Sequence, residues 1–235
     1  MKVAVMSYTG TVGKTTIATH LLSPRMKEAQ IIAVESINET SEGLGVAVEK
    51  LKGDKFRELF QKLVRAEDVI IDIGASNIEY FLDGMFKFEE SHVEFDYFVI
   101  PVTNGTKEQR ETISLIAMLS GSGIPTNKIR VLFNRVETNV EDEFQVLLNF
   151  ASKNNSAKVN TKAAIFENEL FDILAIKKLS IEKVLSDQKD YKALLRDNKD
   201  ADEKKRIHWA DMFGIKCLAK HVSRNLDVCY TELFS

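Results

Sequence analysis

Cysteine and proline are both scarce in this sequence. The 235 residues include two cysteines and three prolines. Cys217 and Cys229 lie in one segment with a helical pattern, where several helical turns would separate them by more than a disulfide can bridge. The sequence therefore excludes a disulfide-stapled scaffold and favours a reducing compartment.

The chain also lacks a strong net charge, a membrane-length apolar run and a histidine cluster. A net charge of −3 argues against general electrostatic adhesion to DNA, although a local basic patch stays open. No stretch has the length that a bilayer requires, and the first residues lack the apolar run of a signal peptide. We therefore expect a cytoplasmic protein without a membrane span.

A strand, a loop of small residues and a helix follow one another at the start of the sequence. This order is typical of a phosphate-binding loop, in which backbone N–H groups around Gly10 and Gly13 form a concavity for anions. Lys14 can reach the β- and γ-phosphates, and Thr15 can place its hydroxyl on Mg²⁺. The predicted nucleotide-binding residues are Gly10, Thr11, Val12, Gly13, Lys14, Thr15 and Thr16. The alternative is a strand-to-helix turn that happens to end in Gly-Lys-Thr-Thr.

A second strand supplies the expected metal ligand. Residues 68–73 read Asp-Val-Ile-Ile-Asp-Ile, so Asp72 lies where a carboxylate binds Mg²⁺, together with Thr15. Gly74 would allow the backbone to approach the γ-phosphate. A buried Asp at the end of a strand otherwise needs a capping role to offset its desolvation. The two motifs together predict a site for a nucleotide with Mg²⁺.

Apolar runs alternate with helical patterns along the rest of the chain. This alternation predicts a doubly wound α/β fold with a mainly parallel sheet and a C-terminal helical extension. We expect a nucleotide-binding domain over residues 1–186, followed at 187–235 by a charged segment and an amphipathic helix. That helix could dock on its own domain or offer a surface to a partner or a membrane. Helices are also predicted near residues 43–48, 56–64, 77–88 with a break at Asp83 and Gly84, 107–119 and 140–150.

The loop at residues 10–16 resembles the deviant Walker A loop of the ParA/MinD ATPases, which usually reads Lys-Gly-Gly-x-Gly-Lys-Thr-Thr. Thr9 stands where that family has a signature lysine that reaches across a dimer to the partner's phosphates, and Thr11 replaces the second glycine. Within the family the chain is most similar to the plasmid-encoded StbB group, whose Gly-x-Val-Gly-Lys-Thr-Thr loop also lacks this lysine.

The resemblance implies further site residues. Glu35 takes the place of the first acid of the family's switch segment, whereas Ile37 stands at the second. Asn134, in an Asn-Arg pair with Arg135, would contact the edge of the purine base. Glu35 could instead cap a strand, and Asn134 could end one. Residues completing the base pocket would be Glu167, Asn168, Leu170, Phe171 and Leu174.

The resemblance also implies a function. The chain would bind ATP or ADP with Mg²⁺ and act as a slow bacterial ATPase switch, with Lys14, Asp72 and Glu35 as catalytic residues. Its role would be plasmid stability, partition or conjugative transfer, through a plasmid-encoded DNA-binding or transfer protein or a nucleotide-dependent homodimer. One alternative is an interaction protein that binds nucleotide without turnover, and a second is a small-molecule kinase or synthetase.

Overall fold

Seven strands form one sheet in the computed structural model, which describes residues 1–35, 48–52 and 54–235. The strands are β1 (Lys2–Val5), β2 (Gln30–Val34), β3 (Val48–Leu51), β4 (Val69–Ile73), β5 (Tyr97–Val102), β6 (Ile129–Val136) and β7 (Ala164–Phe166). Their order is β3-β2-β4-β1-β5-β6-β7, and every neighbouring pair is parallel. The predicted parallel α/β sheet is confirmed.

Helices connect these strands across both faces of the sheet. In the described part of the chain they are α1 (Lys14–Thr16), α2 (Phe56–Arg65), α3 (Ile78–Lys87), α4 (Thr106–Gly121), α5 (Val140–Glu143), α6 (Gln145–Lys153), α7 (Leu170–Lys177), α8 (Ile181–Ser186), α9 (Tyr191–Asp197) and α10 (Glu203–Phe234). Helix α1 continues directly as a π-helical segment, Ile17–Leu22. The first helix therefore starts inside the predicted phosphate loop.

Alternating side chains of the strands feed two hydrophobic clusters. Ala4 and Ile71 join the cluster that includes residues from α2 to α6, whereas Val3 and Val5 join the cluster under the π-helical segment, α7, α8 and α10. Successive residues of a strand point to opposite faces, so a sheet covered on both sides needs apolar residues at nearly every position. The β4 strand is buried throughout.

The long C-terminal helix α10 packs on the second of these clusters. Its buried stripe consists of Met212, Ile215, Ala219, Val222, Leu226, Cys229 and Leu233. Arg25 connects this helix to the π-helical segment. Its Nη1 donates to the Leu21 carbonyl at 2.8 Å, and its Nη2 donates to the Ser223 carbonyl at 3.0 Å and to Asp227 at 2.6 Å. None of the described helices is both long and apolar enough to cross a bilayer.

Two predictions of local structure are wrong. Val48 begins the edge strand β3 rather than ending a helix, and the remainder of that predicted helix lies outside the described residues. Helix α3 continues through Asp83 and Gly84, where a break was expected. Gly84 is needed for packing instead, because a Cβ there would lie 2.5 Å from the Cβ of Phe56.

Replacing Gly84 with alanine should therefore destabilise the protein, although alanine is the better helix former. We expect Gly84→Ala to lower the free energy of unfolding by about 1–2 kcal/mol, since overpacking exceeds the gain in helix propensity. Gly121→Ala is the matched control, because no atom lies within 4 Å of the position its Cβ would take. Equal unfolding midpoints of the two variants in urea would contradict this account.

Candidate nucleotide site

The predicted site residues meet at the carboxyl ends of the central strands. The phosphate loop follows β1, which lies between β4 and β5 at the point where the order of the sheet reverses. A cavity of about 340 Å³ opens there. Its lining residues are Gly10, Thr11, Gly13, Lys14, Thr15, Thr16, Glu35, Asp72, Gly74, Ala75 and Arg135. Ala75 is the one that the sequence reasoning did not name.

Lys14, Thr15 and Asp72 place a cation, a hydroxyl and a carboxylate in this cavity. Lys14 is buried, with 5% of its surface exposed, and its Nζ atom donates to the Thr9 carbonyl at 2.8 Å. The Thr15 hydroxyl donates to Oδ2 of Asp72 at 2.6 Å, which joins the two phosphate-site motifs. Oxygen ligands of this kind suit Mg²⁺, and an ammonium suits the phosphates beside it. The residues present therefore fit a magnesium–nucleotide complex.

A buried hydrogen bond from Asn134 holds the phosphate loop. Its amide nitrogen donates to the Val12 carbonyl at 2.8 Å, and both residues are buried. Gly13 follows with φ = 83°, so the loop adopts the left-handed conformation that glycine tolerates best. Val12 and Asn134 do not line the first cavity. The structure thus gives Asn134 a contact with the loop that the sequence reasoning did not anticipate.

A second cavity, of about 100 Å³, adjoins the first. Gly13, Thr16 and Arg135 line both cavities, and the others in the second are Asn134, Phe166, Glu167, Asn168, Phe171, Asp172 and Ala175. Three of the residues predicted to complete a base pocket are therefore present.

Leu170 and Leu174 are wrong as pocket residues, because both are fully buried in the hydrophobic core. The pocket face of α7 carries Phe171 and Ala175 instead, four residues apart on one side of the helix. Asp172, also missed by the sequence reasoning, is the first-turn acid of this helix. A helical pattern read one residue further along would have indicated this face.

Glu35 lies in the first cavity because the end of β2 is hydrogen-bonded to both of its neighbours, β4 and β3. The Gly74 N–H donates to the Val34 carbonyl at 2.9 Å, and the Glu35 N–H donates to the Leu51 carbonyl at 2.9 Å. These bonds bring Glu35 to the same opening as Asp72 and Gly74. Ile37, expected at the second acidic position, lies outside the described residues.

Thr9 is engaged by a neighbouring helix. Its hydroxyl donates to a carboxylate oxygen of Glu111 on α4. Glu111 also lies 3.6 Å from the ammonium of Lys107. The position at which the resembling family has a lysine therefore carries a neutral side chain that is bonded to an acid.

No family model matches this sequence, and no curated protein sequence matches it. Solved structures do match. A MinD cell division protein from Aquifex aeolicus superimposes with a TM-score of 0.52 at 17% identity, covering 81% of this chain and 92% of that one. The fold is that of the MinD/ParA-type P-loop ATPases.

Two further structures of this type carry nucleotides. The septum site-determining protein MinD from Pyrococcus horikoshii, complexed with Mg-ADP, has a TM-score of 0.50 at 15% identity, over 75% of this chain and 85% of that one. A candidate plasmid partition protein from Borrelia burgdorferi, bound to AMPPNP, has the same score and identity over 91% and 96%. At such identities the likeness shows a shared fold, and function has to be argued from the site.

Proposed function

We propose that the chain binds Mg·ATP in the two adjoining cavities and hydrolyses it slowly as a nucleotide-dependent switch. The observation that carries this proposal is the contact of Thr15 with Asp72 at 2.6 Å beside the buried Lys14. Lys14 would pair with the terminal phosphates, and Thr15 and Asp72 would hold Mg²⁺. The metal would neutralise developing charge on the phosphates when bound.

Glu35 is proposed as the residue that senses or polarises water at the terminal phosphate. It lies at the end of β2 and lines the same cavity as Asp72. The adjoining cavity would receive the base between Phe166, Phe171 and Asn134, because flat apolar rings and an amide suit a purine. The base would thus lie next to the loop that Asn134 supports.

The biological role that fits best is plasmid stability, positioning or conjugative transfer in a bacterium. This part of the proposal rests on the resemblance of residues 10–16 to the StbB group, and the Borrelia burgdorferi protein supports it. The switch would act through a DNA-binding or transfer protein, with a nucleotide-dependent homodimer as the assembly to test. Light scattering with and without AMPPNP would measure whether the nucleotide produces a homodimer. Addition of the partner protein from the same plasmid would then test for a complex.

The test of nucleotide binding is titration calorimetry of the purified chain with ATP in the presence of Mg²⁺. We expect Lys14→Ala to weaken the affinity by about tenfold to a hundredfold, the loss typical of a hydrogen bond to a charged group. Asp72→Ala should remove the dependence of that affinity on Mg²⁺. Lys87→Ala, which removes an exposed ammonium on α3, is the matched control and should bind as the wild type does.

Phosphate release measured on the same proteins separates a switch that turns over from a protein that only binds. Slow release that both Lys14→Ala and Asp72→Ala abolish supports hydrolysis. Tight binding without release supports the second candidate, an interaction protein, which the neutral, Glu111-bonded Thr9 favours. Binding that neither substitution alters would overturn the assignment of the site.

A further inference from the structure

Arg135 has an unusual backbone at the junction of the two cavities. Its φ is 54°, a left-handed conformation that residues with a Cβ rarely adopt. The pairing of β6 with β7 shows why. Asn134 pairs with Ile165 and Val136 with Phe166, so Arg135 is an extra residue with no opposite number in β7. A bulge of this kind turns a side chain away from its regular direction.

The bulge leaves the guanidinium available for a ligand. Arg135 is exposed and lines both the phosphate cavity and the second cavity. In the parts of the chain that the structure describes, no hydrogen bond or ion pair holds its side chain. The other cation of the first cavity, Lys14, is buried and does not line the second cavity. Arg135 is thus a second cation, and it lines both cavities.

We infer that Arg135 is a phosphate-binding residue, which contacts the phosphate chain where it passes from the first cavity to the second. A guanidinium presents a planar pair of N–H donors that matches two phosphate oxygens, and it is always charged. Strained backbone concentrates where a ligand requires a particular side-chain direction. The left-handed backbone of Arg135 and the bulge are consistent with a side chain directed toward the two cavities that it lines. The inference rests on the nucleotide binding proposed above and assigns Arg135 to the phosphates instead of the base edge.

The experiment compares Arg135→Lys, Arg135→Gln and Arg135→Ala by calorimetry with Mg·ATP. Arg135→Lys keeps the charge but loses the planar pair of donors, so its affinity should fall between that of the wild type and those of Arg135→Gln and Arg135→Ala, which should lose about tenfold to a hundredfold. The losses should shrink as salt is raised, because screening weakens the contribution of an exposed charge. Arg57→Ala on α2 controls for the removal of an exposed guanidinium elsewhere and should bind as the wild type does.

Arg135→Gly separates the side chain from the backbone. Glycine accepts φ = 54° without strain, so this variant should unfold at a higher temperature than Arg135→Ala yet bind Mg·ATP as weakly. If Arg135→Gly binds like the wild type, the loop conformation matters and the guanidinium does not. If Arg135→Gln binds better than Arg135→Lys, the side chain packs on the base instead. Either result overturns the inference.

The proposed function and this inference fail in different ways. A wild-type chain that does not bind Mg·ATP overturns the proposed function and the inference with it. A wild-type chain whose binding Lys14→Ala weakens, while every Arg135 variant binds normally, overturns the inference alone.

Discussion

Gly13→Ala should break the hydrogen bond that holds the phosphate loop and lower the free energy of unfolding of the whole protein. Alanine pays about 1–2 kcal/mol for a left-handed conformation, and Gly13 has φ = 83°. Its Cβ would also lie 2.5 Å from the amide nitrogen of Asn134, which is buried and bonded to Val12. Asn134 could move only by giving up that bond, at a further cost of about 1 kcal/mol or more. We expect a loss of about 3 kcal/mol in the free energy of unfolding.

Urea unfolding followed by circular dichroism measures this effect, and Gly10→Ala is its control. Gly10 lies in the same loop, but its φ is not positive and no atom lies within 4 Å of the position its Cβ would take. Its substitution should leave stability unchanged. The Gly13→Ala variant should in addition lose affinity for Mg·ATP by about tenfold or more, because Gly13 lines both cavities and its loop would lose the hydrogen bond from Asn134. Equal stability of the two variants would show that the Asn134 contact does not constrain the loop.

The contrast between these two glycines shows what the sequence alone could predict. Short-range patterns placed the loop, the Asp72 strand and the Asn134 strand correctly, because a strand followed by its turn is recorded in neighbouring residues. The contact between Asn134 and Val12 joins residues that lie 122 positions apart. No local pattern contains it, so the sequence could not distinguish the constrained glycine from the free one.

The same limit explains the errors in the fold and the pocket. The edge strand β3 reads Val-Glu-Lys-Leu and has only one buried residue, so it lacks the apolar run that marked the central strands. Asp83-Gly84 resembles a helix break because the sequence of α3 does not reveal that Phe56 of α2 packs against Gly84. The left-handed Arg135 depends on how β6 pairs with β7, which is a property of the sheet. Features that tertiary packing determines were thus the ones missed.

His20 lies in the π-helical segment directly after the phosphate loop, and its burial should make the stability of the protein depend on pH. Its side chain is 1% exposed, and neither ring nitrogen has a hydrogen-bond partner among the described residues. The ring of Phe171 lies 5.9 Å away between centroids. Burial lowers the pKa of His20 from 6.5 to about 4, because the apolar surroundings disfavour the imidazolium. The folded protein therefore keeps this imidazole neutral well below the pH at which the unfolded chain protonates it.

The sign of the pH dependence follows from this difference in pKa. Above pH 6.5 both states hold a neutral ring, so His20 adds no pH dependence there. Between pH 6.5 and 4 the unfolded chain binds a proton that the folded protein does not, and stability falls by about 1.4 kcal/mol for each pH unit. By pH 4 the loss from His20 alone amounts to about 3 kcal/mol.

His20→Leu should remove this loss, because leucine is of similar size and carries no proton-binding group. At pH 7 the variant should be at least as stable as the wild type, since two unpartnered nitrogens leave the core. The measurement is the difference in unfolding free energy between the two proteins from pH 7 to pH 4, which cancels the titration of the carboxylates they share. His221→Gln, at an exposed histidine on α10, controls for the replacement of a histidine on the surface. If His20→Leu runs parallel to the wild type, His20 is protonated in the folded protein and its burial does not control acid stability.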